Sequence, residues 1–123
     1  MKIELSNSEW KLMRRLWDRA PSTITELTAA LREETGWSKH TVITMLNRLE
    51  GKGAVSHDGG TPRHYSATLA KEDAARAETR SFLDKVYGGR LGLMMSAMVD
   101  SRSLTQQDID ELAAILEKAK EGN

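Results

Sequence analysis

Trp37-Ser38-Lys39-His40-Thr41-Val42-Ile43-Thr44-Met45-Leu46-Asn47-Arg48-Leu49-Glu50-Gly51-Lys52-Gly53 runs into Ala54-Val55-Ser56-His57, a glycine-rich turn, and Arg63-His64-Tyr65. Ser38 offers a side-chain oxygen where a helix must satisfy its first unpaired N–H groups. Val42, Met45, Leu46 and Leu49 then share one side at 100° per residue. Gly51 and Gly53 end the helix. Val55-Ser56-His57 and His64-Tyr65-Ser66 read as short strands around Asp58-Gly59-Gly60-Thr61-Pro62, which has the composition of a turn. A hairpin this short has no stability alone and must lie on the helices. With two capped helices before it, this order predicts a mainly α chain: an α+β winged helix-turn-helix followed by a helical arm.

Upstream, Ser6-Asn7-Ser8-Glu9 forms a capping box, in which the hydroxyl accepts from the third helical N–H and Glu9 reaches back. Trp10, Met13 and Trp17 share one face of the helix that follows, with Leu16 at its edge. The helix ends near Arg19, before Ala20-Pro21. Thr23-Ile24-Thr25-Glu26 is a second capping box. It opens a helix with Leu27, Ala30 and Leu31 on its buried side, which stops around Thr35-Gly36.

From Ala70 the composition turns helical again. Ala75, Phe82, Leu83, Val86 and Tyr87 recur at helical spacing until Gly88-Gly89, and Leu91 to Val99 is almost wholly apolar. Thr105 caps a last helix, whose Ile109, Leu112, Leu116 and Ala119 form a heptad-like seam with Ile115 beside it. Three short helices cannot cover both apolar surfaces. Residues 1–69 are therefore expected to form the DNA-binding domain and residues 70–123 a helical dimerisation domain. Its C2 interface is expected to hold Phe82, Val86, Leu91, Met94, Met95, Met98, Ile109, Leu112 and Leu116. The methionines would make that interface adaptable. The competing arrangement makes the same segment the core of a monomeric helical domain.

The chain has 123 residues, a net charge of zero and no cysteine. Disulfides, thiolate metal sites and cysteine nucleophiles are thereby excluded. No apolar run approaches the roughly 20 residues of a membrane span, and the N-terminus lacks signal-peptide character. Direct membrane binding is not expected, and the expected location is the cytoplasm. Residues 1–66 carry ten Lys/Arg against eight Asp/Glu, and residues 67–123 carry eight against ten. That small asymmetry has the sign expected for nucleic acid at the front of the chain.

The outward face of the third helix is unlike an ordinary solvated surface. His40, Thr44, Asn47 and Arg48 oppose the apolar stripe, Thr41 and Ile43 flank them, and Lys39 sits in the first turn. No acid occurs on this helix before Glu50. Thr and Asn can pair with base edges, and Ile43 offers apolar contact to a thymine methyl. Arg48 and Lys52, late in the helix, suit phosphates, as do Arg63 and His64 beside the turn. The expected DNA-facing set is thus Ser38, Lys39, His40, Thr41, Ile43, Thr44, Asn47, Arg48 and Lys52 on the helix, with Arg63 and His64 on the wing. The competing readings are a surface helix with incidental threonines and a purely structural β-corner. Tyr65 is assigned to the core. His40, His57 and His64 lack the i, i+4 spacing of a helical metal site. No phosphate loop, nucleophile motif or metalloprotease signature is present, so no cofactor, metal or enzymatic activity is expected.

Ser8-Glu9-Trp10, Leu16-Trp17, Trp37-Ser38, Thr41-Val42, Thr44, Arg48-Leu49 and Lys52-Gly53 resemble the penicillinase and methicillin-resistance repressor family. Phe82 to Gly89 and Leu104 to Leu116 resemble its dimerisation arm. The resemblance covers nearly the whole chain. It implies a homodimeric transcriptional repressor whose third helix reads the major groove of a dyad operator in double-stranded DNA. It also implies a membrane sensor protease as a partner, since such repressors are often released when the arm is cut. Two departures stand out. The cysteines of the copper-responsive branch are missing, which excludes copper sensing through thiolates. The Asn-Phe pair cut in the antibiotic-responsive repressors aligns with Ala97 and Met98. A winged-helix module that binds protein and not DNA is the alternative function.

Overall fold

Local capping chemistry sets the helix starts. Ser6 Oγ accepts from Glu9 N at 3.2 Å while Ser6 N donates to Glu9 Oε1 at 2.7 Å, which opens α1 (Asn7–Asp18). The reciprocal pair of Thr23 and Glu26 opens α2 (Ile24–Thr35). Ser38 Oγ accepts from Thr41 N and opens α3 (Lys39–Lys52). Helix α3 runs through Gly51 and stops at Gly53, whose φ of 83° lies in the left-handed region that glycine tolerates. The structure, a computed structural model, describes residues 3–122.

A two-residue strand, β1 (Ser22–Thr23), precedes α2, and the hairpin is β2 (Val55–His57) and β3 (His64–Ala67). The three strands form one antiparallel sheet in the order β1-β3-β2. Ser22 pairs with Tyr65, and His57 pairs with Tyr65 from the other side. The wing is thus a continuation of the small sheet that closes over the helices. Strand β1 was not expected from the sequence, because two residues carry no period and their partner lies more than forty positions away.

The core is formed by Leu12, Met13 and Leu16 of α1, Leu27 and Leu31 of α2, and Val42, Met45, Leu46 and Leu49 of α3, with Ala54, Val55 and Tyr65. The α3 stripe is as its spacing predicts. The other two helices differ in detail from expectation. Leu16 is fully buried and not at an edge, and Leu12 joins it. Trp10 and Trp17 stay half-buried, with ring centroids 5.6 Å apart at 65°. Their bulk and their N–H groups keep them at the margin of the core, where a polar partner is within reach. Trp17 Nε1 donates to Leu69 O at 2.9 Å and Trp10 Nε1 to Glu78 Oε1 at 3.0 Å. On α2, Ala30 is exposed and Thr28 takes the inward position, its hydroxyl donating to Ile24 O at 2.7 Å.

Helix α4 (Lys71–Tyr87), α5 (Leu91–Asp100) and α6 (Gln106–Glu121) follow. Ala74 and Leu83 are the buried apolar residues of α4, and Ala75, expected on that face, is exposed. The Thr105–Asp108 capping box opens α6. The chain forms two compact units that divide between Thr79 and Arg80, inside α4 and later than the 69/70 division expected from composition. Among the described residues no helix is long and apolar enough to cross a membrane.

Candidate nucleic-acid interface

The buried stripe of α3 fixes what its other side shows. With Val42, Leu46 and Leu49 at zero exposure and Met45 at 6%, His40, Thr44, Asn47 and Arg48 are all exposed, as is Lys39. Thr41 and Ile43 are half-buried at the flanks. The structure therefore brings these seven expected residues to one helix surface. Among the described residues, none bonds the side chains of Lys39, Asn47 or Arg48, which leaves their donors free for an external acceptor. Ser38 Oγ and Thr44 Oγ1 are used locally. The first caps the helix and lies 3.1 Å from Thr41 Oγ1; the second donates to His40 O at 3.0 Å. A hydroxyl keeps accepting capacity when it donates, so Thr44 can still take a bond from a base amino group.

The hairpin stands beside this face. Asp58 Oδ1 accepts from Gly60 N at 2.9 Å and from His64 N at 3.0 Å, which ties the turn across its own mouth. The N–H bonds from His64 and Gly60 hold the Asp58 carboxyl below the usual aspartate value against the opposing effect of desolvation. His64 Nδ1 lies 3.3 Å from Asp58 Oδ2. Arg63 is exposed, and its hydrogen bond to Tyr65 raises its already high pKa, so it carries a fixed charge. Asn47, Glu50, Gly51, His57 and Arg63 line an open groove of about 440 Å³ between α3 and the wing. Glu50, the one acid of the helix, is faced there by His57 Nε2 at 3.6 Å.

Residues 5–118 match the penicillinase repressor family. The chain belongs to that family. It is 30% identical to the penicillinase repressor of Bacillus licheniformis, over 95% of this chain and 92% of the relative. It is 27% identical to the methicillin resistance regulatory protein MecI of Staphylococcus aureus strain N315, over 94% of each chain. Among solved structures, it is similar to the monomeric form of Bacillus licheniformis BlaI in complex with the blaP half-operator. That match has 31% identity and a TM-score of 0.51, and covers 58% of this chain and 90% of that one.

In this penicillinase repressor-family chain, Lys52 departs from the expected set. Its Nζ lies 2.6 Å from Glu9 Oε1 and donates to Glu4 O at 2.8 Å. The ammonium closes an internal pair with two of its three donors. Glu9 itself is fully buried, and its Oε2 has no hydrogen-bond partner among the described residues. Burial pushes the Glu9 carboxyl up, but the Lys52 bond and the Ser6 N–H together hold it below the usual value. The sequence marked Glu9 as half of a capping box; nothing local marked its second partner, 43 residues away.

The residues expected at a dimer interface are apolar, and none of them is buried in the single chain. Phe82, Val86, Leu91, Ile109 and Leu116 are 42–63% exposed in the single chain. Met94, Met95, Met98 and Leu112 are half-buried. Neither α5 nor α6 has a fully buried residue. Ala97 and Met98 lie inside α5, both half-buried, and Ala97 O accepts from Ser101 N at 3.0 Å. Among the described residues no group of three or more His, Asp or Glu side chains is placed to share a metal ion.

Proposed function

We propose that this chain is a sequence-specific DNA-binding transcriptional repressor that acts as a homodimer on a dyad operator. Helix α3 enters the major groove with His40, Thr44 and Asn47 toward base edges, and Arg48 reaches a phosphate. The β2–β3 hairpin lies on the backbone with Arg63 and His64. The observation that carries this reading is the two-sided construction of α3. A buried stripe holds an outer face with unpaired donors and no acid before Glu50. The half-operator complex of the Bacillus licheniformis relative supports it. Residues 1–69 would serve as the DNA-binding domain and residues 70–123 as the dimerisation domain. The exposed apolar surface of the arm supports pairing, since large unburied side chains of this kind are what a second copy covers. Work on DNA would place the protein in the cytoplasm and make catalysis unnecessary to its role.

Release by a sensor protease at Ala97–Met98 would require α5 to open first, because a protease needs extended backbone and this pair is helical. The direct test of the function is binding of the full chain to duplexes selected from a random-sequence pool. The expected result is a dyad-containing duplex whose affinity falls about a thousandfold between 50 and 200 mM salt, as for roughly six phosphate contacts. Half-sites should lie about 34 Å apart or a multiple of that. Selection that enriches no sequence, with capture of a protein partner instead, would favour the interaction-module reading.

A further inference from the structure

We infer that Lys52 is a positioning residue for sequence reading, clamping the end of the recognition helix to α1 through buried Glu9, and is not a phosphate contact. The inference rests on the DNA-binding function proposed above. Glu9 belongs to the first turn of α1 and Lys52 to the last turn of α3. Their 2.6 Å ion pair therefore ties the start of one helix to the end of another. The same carboxylate oxygen accepts from Ser6 N at 2.7 Å, and the same ammonium donates to Glu4 O at 2.8 Å. The clamp thus holds the N-terminal chain and both helices at one point. Glu9 is completely buried, and Lys52 is 36% exposed. A buried carboxylate with one unpartnered oxygen gains strongly from keeping this lysine, so the pair does not open to release the ammonium for DNA.

The consequence follows from leverage. Helix α3 has 14 residues, hence a length of about 20 Å. Freed at its C-terminal end, the helix can tilt about its N-terminal cap, and a tilt of about 10° displaces Thr44 and Asn47, about 9 and about 14 Å from that cap, by about 2 Å. Base-edge hydrogen bonds from short side chains such as Thr44 and Asn47 do not survive such a shift. Long, mobile Arg and Lys side chains follow a phosphate through it. Losing the clamp should therefore reduce discrimination between sequences while the electrostatic part of binding persists.

The test uses the full chain, the duplex it selects from a random pool, and a scrambled duplex of equal length. Affinities are measured across a salt series for Lys52→Met, Lys52→Arg, and Glu9→Gln combined with Lys52→Met. The double variant keeps a capping-box residue and leaves no orphan charge, so it remains informative if Lys52→Met alone does not fold. The expected result is at least a tenfold fall in the preference for the selected duplex, an unchanged salt slope, and recovery of preference in Lys52→Arg. A uniform loss on both duplexes, with the slope reduced by about one contact, would make Lys52 a phosphate anchor and overturn the inference. Unchanged preference in the double variant would also overturn it. A wild-type chain that prefers no duplex would overturn the DNA-binding reading itself, and the clamp's role with it. That failure appears before any variant is made.

Discussion

The indole nitrogen of Trp17 donates to the main-chain carbonyl of Leu69 at 2.9 Å. This bond joins the last turn of the first helix to the segment just before α4, 52 positions further along the chain. Together with Trp10 and Glu78, it fastens the first turns of α4 to α1. Trp17→Phe keeps an aromatic ring and removes the donor. It should lower stability by about 1–2 kcal/mol, since a part-buried carbonyl loses its partner. Urea unfolding should show a lower midpoint with an unchanged slope.

The Glu9–Lys52 pair carries a stability prediction separate from its role in reading DNA. Lys52→Met should cost about 2–3 kcal/mol, below the full cost of breaking a buried pair because the lysine is partly exposed. Glu9→Gln with Lys52→Met should cost less than Lys52→Met alone. The four proteins of this cycle, compared by urea midpoints, measure the coupling directly.

Acid should weaken the same pair. The folded-state pKa of Glu9 lies below the ordinary glutamate value of about 4.5. Its contribution is therefore complete above that value and is lost as the pH falls through the lower folded value. Stability measured from pH 6 down to pH 3 should drop more steeply in the wild type than in Glu9→Gln.

Ser38 separates capping from recognition. Its hydroxyl accepts from Thr41 N at 3.2 Å, so Ser38→Ala should cost about 1 kcal/mol. Ser38→Asp restores a cap and adds a negative charge beside the proposed groove. Thermal unfolding should show Ser38→Asp at least as stable as the wild type, while duplex affinity falls by tenfold or more.

The arm predicts a dimer. Val86 is 51% and Leu116 63% exposed in the single chain. Changing both to Glu would bury two unpaired carboxylates in the proposed interface, at a cost of about 2 kcal/mol or more each. Sedimentation should show a dimeric wild type and a variant that is monomeric at micromolar concentration. A wild-type monomer at every concentration would contradict the dimer.

Local chemistry was legible in the sequence. The caps at Ser6, Thr23, Ser38 and Thr105 depend on residues within three positions, and all four form. The α3 stripe was legible because four apolar residues at helical spacing left no other inward face. What escaped was non-local or subtle. Strand β1 exists only through its pairing with β3. Lys52 had the position and charge of a phosphate contact, and only folding brings Glu9 to it. The bulk of Trp10 and Trp17 drew the expected core toward them, whereas the smaller Leu12 and Leu16 fill it. The candidate face was readable in outline, since residues that oppose a buried stripe must be outside.

Thr44 provides the most direct test of the central claim. Its side chain is exposed at the middle of the outer face and, among the described residues, is bonded to His40 O alone. Thr44→Glu would bring a carboxylate to base edges and phosphates without disturbing the core. Binding of this variant to the selected duplex should fall to the level of the scrambled duplex, with unfolding temperature and dimerisation unchanged. Binding within about twofold of the wild type, a difference of only about 0.4 kcal/mol, would contradict the account of α3 as the reading helix.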